Sequence, residues 1–177
     1  MGNPVFTKKV IGEVRNDIPP GAMNTFSTVG DINNDGMPDI ALCGRNGRMV
    51  WLENRGPGKK WEQHLVDEVD KMECGGSLYD LTGSGNLDII NGGDWRSDEI
   101  SWWENPGHTG SKWKKRLIAR TSSGQFHDTI IGDLTGDGVV SLIFDNQHAP
   151  GGTAIYRVPL PLGEAVSFVL SPSSIPV

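Results

Sequence analysis

The sequence predicts an all-β chain, and three observations predict it. The chain repeats itself about every 50 residues, turn residues are abundant, and short β-branched or aromatic runs separate the turns. Among 177 residues there are 24 Gly and 11 Pro, about a fifth of the chain, which is more than a helical bundle uses. Hydrophobic residues make up 36% and charged residues 21%, with no apolar run near 18 residues, which excludes a helical membrane span or a disordered chain.

The repeat is carried by three acidic segments. Asp31-Ile-Asn-Asn-Asp-Gly-Met-Pro-Asp39 aligns with Asp80-Leu-Thr-Gly-Ser-Gly-Asn-Leu-Asp88 and with Asp133-Leu-Thr-Gly-Asp-Gly-Val-Val-Ser141, at spacings of 49 and 53 residues. Two further landmarks keep register. Trp51-Leu-Glu-Asn54 matches Trp102-Trp-Glu-Asn105 and, loosely, Ile155-Tyr-Arg-Val158, at 20, 22 and 22 residues after the first Asp. Phe6 to Ile11, Trp61 to Val66 and Trp113 to Ile118 each place an aromatic before two aliphatics in a short segment.

Each unit therefore reads as four strands, one before the acidic loop, one after it, one around Trp51 and one around Trp61. Four-stranded antiparallel units at this period predict the blades of a β-propeller, about three of them, as part of a propeller or half of an oligomeric one. The expected units lie near 12–66, 67–118 and 119–162, with 5–11 as a displaced outer strand and 163–177 as a Pro- and Ser-containing tail. Propellers close with about four to eight blades, so either self-association or a further stretch of polypeptide is expected. Alternating strand direction puts every acidic loop on one rim and the second-to-third turns, with the links between blades, on the other.

The acidic loops suit a hard cation. Ca²⁺ takes six to eight oxygens, and a loop with oxygens at positions 1, 3, 5 and 9 and Gly at 6 can wrap around it. The first loop offers Asp31, Asn33, Asp35 and Asp39, with the Met37 carbonyl at position 7. The second offers Asp80, Thr82, Ser84 and Asp88, and the third Asp133, Thr135 and Asp137, with Ser141 replacing the last carboxylate. With fewer carboxylates, the second and third are expected to bind more weakly. Mg²⁺ is the alternative ion. Asp-Gly and Asn-Gly pairs also make tight turns with no ion at all.

The opposite rim carries the unusual side chains: Arg45-Asn46, Asp94-Trp95-Arg96, Asn146-Gln147-His148, Glu73 and His127-Asp128. Trp95 offers a flat face to a sugar ring, with Asp94, Arg96 and Asn146 as hydrogen-bonding neighbours; packing between blades is its other reading. His127, His148 and Asp128 are the candidates for acid–base chemistry or transition-metal ligation, against plain loop hydrogen bonding. His64 and His108 are expected to face solvent. The remaining tryptophans are assigned to packing between units.

The motif D-x-[DN]-x-D-G-x-x-D after an apolar strand, repeated with W-x-E-N downstream, resembles the FG-GAP/VCBS type of β-propeller repeat over roughly residues 5 to 160. The Trp-Leu-Glu-Asn and Gly-Asp-Ile-Asn-Asn-Asp-Gly stretches are also similar to the propellers of fungal aldos-2-ulose dehydratases. The resemblance implies calcium in the acidic loops, carbohydrate as ligand and an extracellular setting, although residues 1–5 show no signal-peptide pattern. A module for carbohydrate binding or interaction is the favoured reading. The alternatives are part of a metal-dependent sugar lyase or dehydratase, and a protein-interaction scaffold. An enzyme is not favoured for this chain alone, since no nucleophile elbow, zincin, phosphate-loop or dinucleotide motif is present. A net charge of -6, from 22 acidic and 16 basic residues, argues against nucleic acid, and no membrane partner is expected. Cys43 and Cys74, 31 residues apart, lack zinc-knuckle spacing and leave room for one bridge at most.

Overall fold

The computed structural model describes residues 3–14, 24–121, 124–133, 136–148 and 154–160. The expected third-loop ligand Thr135 and the expected 163–177 tail lie outside them. The described residues hold eleven strands: β1 Asn24–Gly30, β2 Asp39–Gly44, β3 Met49–Glu53, β4 Glu62–Asp67, β5 Met72–Tyr79, β6 Asp88–Gly93, β7 Glu99–Glu104, β8 Lys114–Arg120, β9 Thr129–Gly132, β10 Ser141–Asn146 and β11 Ala154–Pro159. They pair antiparallel in chain order into β1-β2-β3-β4, β5-β6-β7-β8 and β9-β10-β11. Two four-stranded meanders and a three-stranded one are consistent with propeller blades.

Burial follows the position of a strand in its sheet. The inner strands β3 and β6 are buried almost throughout, β3 as a near-continuous apolar run and β6 with Asp88 and Asn91 buried beside Ile89 and Ile90. The outer strands β4 and β8 are largely exposed, and they carry the charge. Adjacent residues on a strand face opposite ways, so the middle sheet supplies two cores. Ile89 and Trp103 join Phe26, Ala41, Cys43, Met49 and Trp51 between the first and second sheets. Ile90 and Trp102 join Phe126, Leu142 and Phe144 between the second and third.

Two expectations are corrected. Residues 5–11 form no strand, and Val5, Phe6 and Val10 are exposed. The nearby Gly12 lies instead against Leu52 of the first sheet. The third unit is also read two residues out of register. Ala41 pairs with Trp51 and Ile90 with Trp102, and the corresponding Ile143 pairs with Arg157. The match to Trp-x-Glu-Asn is therefore Arg157 to Leu160, not Ile155 to Val158. A shift of two leaves every side chain on its own face, so the apolar pattern could not detect it.

Candidate functional site

The acidic loops share one rim. Asn34 Nδ2 in the first donates to Gly85 O (3.2 Å) and Asn86 Oδ1 (2.9 Å) in the second. The second and third loops together line a cavity of about 290 Å³. Within each loop the first Asp folds the chain around itself. Asp31 accepts from Asp35 N and Gly36 N, Asp80 from Ser84 N and Gly85 N, and Asp133 from Gly136 N and Gly138 N. The sixth residue is Gly in all three, at φ 87°, 85° and 83°, where a Cβ would be strained.

The ninth residue does something spacing alone does not show. Asp39 is wholly buried, with Oδ2 accepting from Ile32 N (3.0 Å) and Oδ1 from Asn54 N (2.8 Å). Asp88 repeats this with Leu81 N (3.0 Å) and Asn105 N (2.8 Å). The Asn of Trp-x-Glu-Asn then closes the clamp. Asn54 Nδ2 donates to Pro38 O and Asn105 Nδ2 to Leu87 O, while their Oδ1 atoms accept from Gly56 N and Gly107 N. The acidic loop and Trp-x-Glu-Asn are thus one device. In the third unit Ser141 replaces the Asp, and by the observed register Leu160 replaces the Asn, so both halves are lost together.

The donors fit a hard cation. Asp31, Asn33 and Asp35 are oxygen donors whose bonds to loop amides leave a second lone pair on each oxygen. Asp39 is raised above the usual carboxylate range by burial, against its two backbone bonds, with the Asp35 and Asp31 charges adding to the rise. A cation would relieve that repulsion. Burial likewise pushes Asp88 to about 6, helped by Asp80 and Glu104. Burial also opposes ionisation of Asp80, but N–H groups from Gly85 back to Thr82 outweigh it and hold it low. Thr82 and Ser84 sit in the second loop with Thr82 Oγ1 3.5 Å from Asp80 Oδ1, and Asp137 accepts from Val139 N in the third.

On the opposite rim, Trp95 is 52% exposed, not packed between blades. The guanidinium carbons of Arg45 and Arg96 stand 4.6 and 5.4 Å from its ring centroid. Arg96 also lines a polar cleft of about 340 Å³ with Glu68, Asp70, Lys71, Asp98 and Glu99. Asp94 is wholly buried, taking Arg96 Nε at 3.1 and 3.0 Å and Arg96 N at 2.8 Å, so it orients Arg96 and does not itself face the cleft. Arg96 reaches on to Asn46 Oδ1 at 2.6 Å and Asp70 O at 2.5 Å. Asn146 is buried too. Its Oδ1 accepts from Gln125 N and His148 N, pinning the link between blades.

The histidine pair is not brought together as a cluster. His127 gathers with Glu73 and Cys74, their ligand atoms within 4.8 Å of one another, whereas His148 is exposed at the turn. Asp128 is exposed and bonds through its N–H to Asp145 Oδ1 (2.8 Å). Cys74 Sγ donates to Glu73 Oε1 (2.9 Å), and Arg45 pairs with Glu73 Oε2. Burial alone would raise Glu73, but Arg45 and the Cys74 thiol and N–H hold it low. Burial and the Glu73 carboxylate push the Cys74 thiol up to about 11. Both cysteines are free thiols.

His64 is not solvent-facing. It stacks on Trp51 at 4.3 Å and meets Glu53 at 2.8 Å, as Arg116 sits over Trp102 and bonds Glu104 at 2.7 Å. Sequence reasoning missed Cys74, which adjoins His127 only in the folded chain, and the inward turn of Asp39 and Asp88. The recurrence of Asn after Trp-x-Glu was the available signal for the second.

No curated protein matches the chain. The FG-GAP-like repeat family model matches residues 31–90, from the first acidic loop through β5 and the second loop into β6. That stretch is similar to an FG-GAP-like repeat, and with the four-stranded antiparallel sheets it suggests a β-propeller-like module.

Proposed function

We propose that this chain is a calcium-stabilised β-propeller-like module that binds carbohydrate on the rim opposite its acidic loops. One observation carries the carbohydrate reading: the exposed Trp95 ring stands beside a polar cleft with which it shares Arg96. An aromatic plane next to fixed polar groups is what a pyranose needs, with apolar C–H faces on the ring and hydroxyls on the rest. Both guanidiniums are neutralised by Glu73 and Asp94, so the surface suits a neutral sugar better than a polyanion.

Calcium would be held by Asp31, Asn33, Asp35 and Asp39 with the Met37 carbonyl, and more weakly by Asp80, Thr82, Ser84 and Asp88 and by Asp133, Thr135 and Asp137. It would supply charge neutralisation and loop rigidity. Trp95→Ala is expected to abolish binding on a glycan array while shifting Tm by no more than a degree or so, as for a surface site. Undiminished binding by that variant sinks the reading. Loss of a sugar with appearance of an unsaturated product would favour the lyase or dehydratase alternative, to which His127 is joined through the network of Gln125, Glu73 and Arg45.

Self-association belongs to the same proposal. On the face of the first sheet away from its core, Val29 pairs with Ile40 and Leu65 with Val50; Val29 and Leu65 are exposed and Ile40 and Leu42 half-buried, an apolar surface for a second copy. Light scattering at micromolar concentration is expected to give a multiple of the 19.2 kDa chain mass. A single-chain mass would exclude it.

A further inference from the structure

We propose that Glu73, Cys74 and His127 form a binding site for a borderline-soft divalent transition metal of the Zn²⁺ class, separate from the acidic loops. The three ligand atoms lie within 4.8 Å of one another and come from β5 of the middle sheet and the link into the third. Carboxylate, thiolate and imidazole are the donors such an ion prefers, whereas Ca²⁺ and Mg²⁺ favour oxygen alone.

The approach of the two segments is built in. Gly75 has φ 66°, and a Cβ there would stand 2.1 Å from His127 O, so only glycine lets β5 come this close. Glu73 is wholly buried, and its pair with Arg45 occupies Oε2, while Oε1 faces the Cys74 sulfur at 2.9 Å. Oε1 also accepts from Cys74 N, and once the thiol proton leaves, its second lone pair is the one available to an ion.

Gln125 Nε2 lies 3.2 Å from Glu73 Oε2 and 3.0 Å from His127 Nε2. An amide nitrogen only donates, so the imidazole Nε2 accepts and carries the lone pair a metal requires. A cation bridging Glu73 Oε1 and the imidazole Nε2 would replace the Gln125 amide on the imidazole and add the sulfur. On binding, the Cys74 S–H bond breaks, a metal–sulfur bond forms and the proton leaves to solvent. Three protein ligands leave a fourth position for water or a ligand atom. The site lies in the network of the Arg45 that stands over Trp95, but it does not depend on sugar binding there.

The test is titration of the reduced full chain with Co²⁺, a spectroscopic substitute for Zn²⁺, in saturating Ca²⁺ so that the acidic loops are filled. The expected result is a near-ultraviolet thiolate-to-cobalt charge-transfer band at one equivalent, bleached by Zn²⁺. His127→Gln, at a half-exposed position, is expected to keep the circular dichroism of the wild type and to weaken binding more than about tenfold, since even the outer partners of metal ligands are worth that much. Cys74→Ser is expected to abolish the band. No thiolate band in the wild type, a band that survives Cys74→Ser, or wild-type affinity in folded His127→Gln would each overturn the proposal.

Discussion

Asp88 has no exposed surface, yet two backbone N–H groups and the geometry of a cation loop converge on it. Its carboxyl is raised from 3.8 to about 6 by burial, with the Asp80 and Glu104 charges adding to the rise. The folded chain then holds this proton more tightly than the unfolded chain does. The stability it contributes is complete below 3.8 and is lost as pH climbs through about 6. In chelator, stability should therefore fall across that window by about 3 kcal/mol at most. Bound Ca²⁺ would reverse the preference, because it would bind the ionised form and protons would compete with it. Fluorimetric melting across the window should give a downward slope in chelator that flattens or inverts in Ca²⁺, and Asp88→Asn should lose the difference. Identical slopes with and without Ca²⁺ would rule out an ion at this loop.

At the scale of the element, the clamp between acidic loop and Trp-x-Glu-Asn gives a quantitative ordering. Asn105 is buried and its side chain makes three bonds, to Ile32 O, Leu87 O and Gly107 N. Asn54 is half-buried and makes two, to Pro38 O and Gly56 N. Buried partners left unpaired cost more than wet ones, so Asn105→Ala is expected to lose about 2–4 kcal/mol and Asn54→Ala about 1–2 kcal/mol. Urea unfolding at constant m-value measures both, and the opposite order would contradict the clamp. Much of this element was legible beforehand, because Asp, Gly and Asn recur at fixed offsets and each offset demands one local geometry. What was illegible depends on contacts between segments. Asp39 reads only as a ligand in spacing, and only the folded chain shows that each of its oxygens also accepts an N–H, from Ile32 and from Asn54. Cys74 and His127 meet because Gly75 permits close approach, which no local pattern encodes. Arg157 was misassigned because a slip of two residues keeps a strand's faces unchanged.

At the scale of the whole molecule, two cores meet in one sheet, and consecutive tryptophans divide them. Trp103 is wholly buried against the first sheet, its Nε1 bonded to Asp67 Oδ2 at 2.7 Å, while Trp102 packs with Phe126, Leu142 and Phe144 toward the third. In stacked repeats stability is roughly a sum of unit and neighbour terms, so damage to one interface should loosen chiefly the unit beyond it. Truncating either Trp should cost about 3–5 kcal/mol at its own interface. Trp103→Ala is then expected to speed amide exchange in β1 to β4, and Trp102→Ala in β9 and β10, with the middle sheet least affected by either. The first loop should follow β1 to β4, since Asn105 holds Ile32 O and Asn34 holds the second loop. Hydrogen-exchange mass spectrometry resolves these peptides. If both variants loosened all three sheets equally, the chain would be a single cooperative core, and the division into blade-like units that the repeat implies would fail energetically even though it holds in topology.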